Sequence, residues 1–154
     1  MSDSTLFKKE LIFLEMEIDN KEDFFKKLNS ILLDKKYVTD NFYNALVKRE
    51  ENYPTGIQTS TIGVAIPHTD PINIIEPFIA IIRPTKKVDF QPMGIGDNVV
   101  EAELIFLLGV KRDGGQVAVL QNLMEIFMND ESVKELLEAK TSDEMLEKIN
   151  KYFN

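Results

Sequence analysis

The sequence predicts an α/β protein: a three-layer α/β/α sandwich with one mixed β-sheet of about five strands flanked by helices. Three observations carry that expectation. Short apolar runs of strand character interleave with longer segments of helical periodicity. The inner runs "IGVAI" (62–66), "FIAIIRP" (78–84) and "AELIFLLGV" (102–110) are apolar at consecutive positions, as strands covered on both faces are. From residue 114 onward the chain reads as helix alone, which provides cover for one face of the sheet.

The elements follow in order. "LIFLEMEI" at 11–18 mixes β-branched and aromatic residues with two glutamates at alternate positions, which predicts a strand with one solvated face. Asp19 with Glu22 three residues later resembles a capping box, and Phe24, Phe25, Leu28, Ile31 and Leu32 fall on one helical stripe behind it. A second helix is expected from Thr39 to about Glu51, with Phe42, Ala45 and Leu46 inward and a charged cluster, Lys48 to Glu51, at its end. "NYPTG" breaks that helix. "IGVAI" is a short strand stopped by Pro67, "FIAIIRP" is the next, and "KVDF" makes a short edge strand before the loop "QPMGIGDN". "AELIFLLGV" is the clearest inner strand. After "KRDGG" three helices are expected, over about 114–128, 130–139 and 141–152, the last opened by a capping box of Thr141 and Glu144.

Composition bounds the function. A length of 154 residues suits one domain, here 1–154, with a core that needs no disulfide or metal staple. Hydrophobic residues make up 44% and charged residues 29%, an ordinary globular balance without repeats or low-complexity segments. Twenty-six acidic against eighteen basic residues leave a net charge of -8, which repels a phosphate backbone and disfavours nucleic acid or an anionic membrane as partner. A protein or a small molecule fits better. The absence of cysteine excludes disulfides, thiolate catalysis and Cys-based zinc sites, and it agrees with a cytoplasmic location. No apolar run approaches the roughly 20 residues that span a bilayer, and the acidic, alternating N-terminus does not read as a signal peptide.

One stretch concentrates the chemistry. In "TIGVAIPHTDP", 61–71, His68 is the only histidine of the chain. A strand that stops at proline delivers the next residue to the sheet edge, where open α/β folds build their sites. A lone histidine can be a purely structural, hydrogen-bonded residue, but neutral imidazole is also a nucleophile near pH 7 without special activation. Zinc would want more ligands than one histidine and no cysteine, and no G-x-S-x-G elbow accompanies a hydrolase triad. "GIG" at 94–96 lacks the rest of a P-loop or dinucleotide fingerprint and reads as a turn. His68 therefore acts alone as a covalent nucleophile, as a general base in a metal-free hydrolase, or not at all. No cofactor is expected.

"GVAIPHT" resembles the G-[IV]-A-[IL]-P-H signature around the phosphorylated histidine of the fructose/mannitol-type enzyme IIA of the bacterial sugar phosphotransferase system. "ALVKREENYPTGI" (45–57) is similar to that family's helix end and loop, where an arginine-glutamate pair precedes a P-T-G turn. "FIAIIRPTKKVDF" and "AELIFLLGV" read as family strands, so the resemblance covers about residues 6–152, and its wording is most like the galactitol branch. The resemblance implies a phosphoryl relay: the histidine-containing phosphocarrier protein donates to Nε2 of His68, which passes the group to a cysteine of a separate enzyme IIB, with a membrane enzyme IIC downstream. It implies a free-standing component, with no nucleic acid and no membrane insertion. A regulatory role, as in the nitrogen-type relatives, is the alternative.

By the same resemblance Arg49 is the active-site arginine, whose planar fork suits a phosphoryl group. Mannitol-type members carry a second histidine where this chain has Gln116, which can donate a hydrogen bond but carry no proton or charge. Gln116 is also spaced to form a capping box with Asp113. Thr69 stands where many relatives have glycine and either contacts the phosphoryl group or merely ends the strand; Thr55 and Gly56 are expected to shape the loop under Arg49.

Overall fold

The computed structural model describes residues 6–94, 96, 98–111 and 115–153, with only the backbone described at 115 and 116. The elements are β1 Phe7–Met16, α1 Lys21–Asp34, α2 Phe42–Asn52, β2 Gly56–Gln58, β3 Gly63–Ala65, β4 Phe78–Pro84, β5 Val88–Phe90, β6 Val100–Gly109, α3 Gly115–Phe127, α4 Asp130–Glu138 and α5 Ser142–Tyr152. They form the expected mixed sheet with helices on both faces.

β6 is the axis of the sheet. Its order is β1-β4-β6-β3-β2, with β5 also paired to β6. Ala102 pairs with Gly63 of β3 on one side and with Val88 of β5 on the other, so β5 prolongs the edge that β4 covers at Ile105 to Gly109. β3 runs parallel to β6 and β4 antiparallel. The sixth strand, beyond the expected five, is β2, antiparallel to β3 through Gly56–Ala65, Ile57–Val64 and Gln58–Gly63. Its three residues directly follow the breaker "YPT" and are too few to show a strand periodicity.

Side chains of β6 alternate between two cores, as a period of two requires. Leu104, Phe106 and Leu108 point to the side covered by α3, α4 and α5, with Leu123, Phe127, Leu136 and Ile149 among their neighbours. Ile105 and Leu107 point to the opposite side, with Phe24, Leu28, Phe42 and Leu46 from α1 and α2, and Ala102 joins them because β6 carries one extra residue where its pairing with β3 shifts register, between Ala102 and Leu104. β1 departs from its expected single solvated face: Leu11 joins one core and Ile12 the other. Polar positions of β1 lie toward its ends, where the parallel pairing with β4 slips in register.

Helix ends follow local chemistry. The cap of α1 stands one residue later than expected: Asn20 accepts from the Asp23 N–H at 2.8 Å, and Asp23 accepts from the Asp19 N–H at 2.9 Å. A cap one residue later leaves the stripe of Phe24, Phe25, Leu28 and Leu32 facing the sheet. Ala45 of α2 is only half-buried, whereas Phe42 and Leu46 are fully enclosed. Thr141 caps α5 as expected, accepting from the Glu144 N–H at 3.0 Å. Among the described residues no helix is long and apolar enough to cross a membrane.

Candidate active site

β3 ends at Ala65, but the chain keeps company with β6 for three more residues. The Leu108 N–H donates to the Pro67 carbonyl at 3.0 Å, and His68 stands opposite Leu108 in a parallel bridge. His68 is thus held at the carboxyl end of the parallel pair β3 and β6, the sheet edge that the sequence assigns to it. Only 8% of the residue is exposed.

The backbone orients the ring. Nδ1 lies 2.9 Å from the Ile66 carbonyl oxygen. A carbonyl only accepts, so Nδ1 carries the hydrogen and, in the neutral ring, Nε2 keeps its lone pair. Burial pushes the His68 pKa below the usual histidine range; the Ile66 hydrogen bond opposes this, the positive charge of Arg49 adds to it, and Asp70 opposes it least. At neutral pH the ring is therefore an uncharged imidazole whose available nitrogen is Nε2.

Arg49 comes from the last turn of α2 and lines the same cleft, a space of about 450 Å³ that His68, Tyr53, Thr55, Met93 and Leu120 also border. Its guanidinium carbon lies 4.6 Å from the centroid of the Tyr53 ring, within cation–π range. Its Nε is buried and has no hydrogen-bond partner among the described residues. A buried donor left unsatisfied costs about 1–3 kcal/mol, so an acceptor that enters the cleft gains from it.

Four sequence-derived expectations bear on this cleft. His68 and Arg49 do line one cleft. Thr55 and Gly56 do shape the adjoining loop: the Gly56 N–H donates to Gln91, the Met93 N–H donates back to Gly56, and a Cβ at 56 would stand 2.6 Å from the Gln91 oxygen. Thr69 is buried, and its Oγ1 accepts from the Asn73 amide at 3.3 Å, which gives the hydroxyl a local partner. Gln116 falls in the first turn of α3, one helical turn before cleft-lining Leu120, while its side chain and its suggested capping partner Asp113 lie outside the described residues.

Comparison with known proteins decides the family. The model described as "Phosphoenolpyruvate-dependent sugar phosphotransferase system, EIIA 2" matches residues 5–152. The chain belongs to this enzyme IIA family. It is accordingly a phosphotransferase component that carries a phosphoryl group. The galactitol-specific EIIA component of Escherichia coli (strain K12) is 30% identical over 118 residues, covering 77% of this enzyme IIA and 78% of the relative. Among solved structures, the complex of mannitol enzyme IIA with phosphorylated mannitol enzyme IIB from Escherichia coli matches with a TM-score of 0.75 at 20% identity, over 94% of this enzyme IIA and 97% of that chain. Nitrogen regulatory protein IIA-Ntr from Neisseria meningitidis matches with a TM-score of 0.73 at 22% identity, over 95% and 97%. At such identities the structural likeness concerns the fold.

Glu50 was not among the expected site residues, although it sits within the charged cluster at the end of α2. It is 2% exposed, with Oε2 accepting from the Thr55 N–H and Oε1 from the Thr55 hydroxyl, both at 2.8 Å. The signal for its burial was present: 42, 46 and 50 are spaced by four, so Glu50 continues the inward stripe of Phe42 and Leu46. Tyr53, Met93 and Leu120 were missed because apolar residues bordering a polar cleft leave no pattern in the sequence.

Proposed function

We propose that His68 is the phosphoryl carrier of this enzyme IIA, accepting the group on Nε2 from the histidine-containing phosphocarrier protein and passing it to a cysteine of a separate enzyme IIB, in uptake of a galactitol-like polyol or sugar. The observation that carries this reading is the neutral, backbone-held imidazole with Nε2 available in a cleft that also contains an unpartnered, buried arginine donor. The likeness to the galactitol-specific component supports the substrate, and the mannitol complex with phosphorylated IIB supports the acceptor.

The steps need little from the protein beyond position and charge, as phosphoryl transfer generally does. The Nε2 lone pair attacks the donor's phosphorus in line; the new N–P bond forms as the donor's N–P bond breaks, and the donor nitrogen recovers its lone pair. Throughout, the hydrogen stays on Nδ1, which donates it to the Ile66 carbonyl. Arg49 offers its donors to the equatorial oxygens, where charge-assisted bonds are strongest. In the second step a cysteine thiolate of IIB attacks the phosphorus, and the pair of the Nε2–P bond returns to Nε2. Gln116, in the first turn of α3, adds a neutral donor in this scheme.

The test is phosphorylation from phosphoenolpyruvate with enzyme I and the phosphocarrier, read by intact mass. Wild type gains one acid-labile phosphoryl group and transfers it to IIB, and His68→Ala gains none. Label on His68→Ala refutes the assignment of His68, and phosphorylated wild type that does not discharge to a galactitol-type IIB refutes the transport role.

A further inference from the structure

Glu50 is a buried carboxylate with no place in the phosphoryl transfer just described, yet its contacts lead to His68 in three steps. Its two oxygens clasp the N–H and the hydroxyl of Thr55. The Thr55 carbonyl accepts from the Ile66 N–H at 3.3 Å, and the Ile66 carbonyl accepts from His68 Nδ1 at 2.9 Å. One residue, Ile66, therefore lies between them: its N–H is anchored to Thr55 on one side, and its carbonyl fixes the imidazole on the other. Glu50 also follows Arg49 directly in the last full turn of α2, so the same anchor ties down the end of the helix that presents the guanidinium.

We propose that Glu50 is a positioning residue of this site, which through Thr55 and the Ile66 backbone holds His68 in the tautomer and orientation that leave Nε2 free. This rests on the reading of His68 as phosphoryl carrier. Glu50 touches no reacting atom in it. The role is geometric, because the carboxylate is enclosed and its bonds run to a single neighbour. Burial itself raises the Glu50 pKa, and the two bonds from Thr55 oppose that rise, so a carboxylate placed here is kept by its partners rather than by solvent.

Glutamine at position 50 can preserve the arrangement. Its carbonyl oxygen accepts from the Thr55 N–H, and its amide donates to the Thr55 hydroxyl, which rotates to accept. Alanine preserves neither contact. The experiment compares wild type, Glu50→Gln and Glu50→Ala by 15N NMR of the unphosphorylated His68 ring, and by single-turnover phosphorylation at saturating phosphocarrier. Wild type and Glu50→Gln are expected to show the Nδ1–H tautomer and rates within about threefold of each other. Glu50→Ala is expected to mix the tautomers, or free the ring to reorient, and to lose about tenfold or more in rate, in line with the sensitivity of transfer to small misplacement. A simple loss of stability would slow both variants by unfolding without changing the tautomer of the folded fraction. An unchanged tautomer and rate in Glu50→Ala, or a Glu50→Gln as slow as Glu50→Ala, overturns the proposal, the second because it assigns the effect to charge. The ring spectra need no phosphoryl donor, so they test the positioning role even where phosphorylation of His68 fails.

Discussion

At the scale of single residues, the proposed transfer depends on keeping one imidazole uncharged. Burial holds the His68 pKa below its ordinary 6.5, with Arg49 acting in the same sense. The ring signal followed by NMR should titrate with a midpoint below 6.5, and phosphoryl acceptance should stay level from pH 8 down to that value before falling. A midpoint at or above 6.5 would contradict the account. Linkage fixes the sign for stability: the unfolded chain takes up the proton first as pH falls, so the His68 contribution erodes from about pH 6.5 downward and is absent as a penalty above it. Glu50 works oppositely, because its native pKa is raised; its ionisation costs stability as pH rises through the native value, and that cost is relieved in acid. His68 and Arg49 could be singled out in the sequence because each carries a distinctive residue type within a recognisable wording. The buried carboxylate could not be assigned so directly. A glutamate among Lys48, Arg49 and Glu51 looks like solvated surface, and only its spacing from Phe42 and Leu46 reveals that it points inward.

Among the elements, legibility followed length and composition. β4 and β6 were visible because several consecutive apolar residues leave no other reading, and α5 because a capping box opens it. β2 was not, since three residues after a proline turn exist as a strand only by pairing with β3, a tertiary cause. The helices far from the cleft supply a control for the site. Asn129 caps α4, accepting from the N–H groups of Glu131 at 3.0 Å and Ser132 at 3.2 Å. Asn129→Ala should cost about 1 kcal/mol, the usual worth of such a cap. That corresponds to a fall in Tm of roughly 2–4 °C for a chain of this size, measurable by calorimetry. Phosphorylation of the variant at 25 °C should equal wild type, because the cap lies outside the cleft and the chain of contacts behind His68. A slower transfer with a normal Tm would place α4 in the mechanism, which the geometry gives no reason to expect.

At the scale of the whole molecule, the two sides of the cleft belong to different cores. Arg49 and Glu50 ride on α2, which packs with α1 over one face of the sheet; Leu120 rides on α3, over the other. What joins them is β6, whose neighbours Phe106 and Leu107 enter opposite cores, Phe106 meeting the Phe127 ring edge-on at 5.2 Å. Because both residues are fully enclosed, truncating either leaves a cavity: about 3–5 kcal/mol for Phe106→Ala and about 2–5 kcal/mol for Leu107→Ala. Each loss is a large share of the about 5–15 kcal/mol that holds a typical domain together. If the sheet couples the layers, each variant lowers one shared transition, and helix content by far-UV circular dichroism and hydrogen exchange of α2 and α3 amides collapse at the same denaturant concentration. Two separated transitions, with α3 released by Phe106→Ala while α2 persists, would mean that the layers fold independently. Coincidence is the outcome expected here, because β6 is paired on both edges and no layer keeps a core without it. The proposed carrier site, assembled from both layers, then exists only in the fully folded molecule.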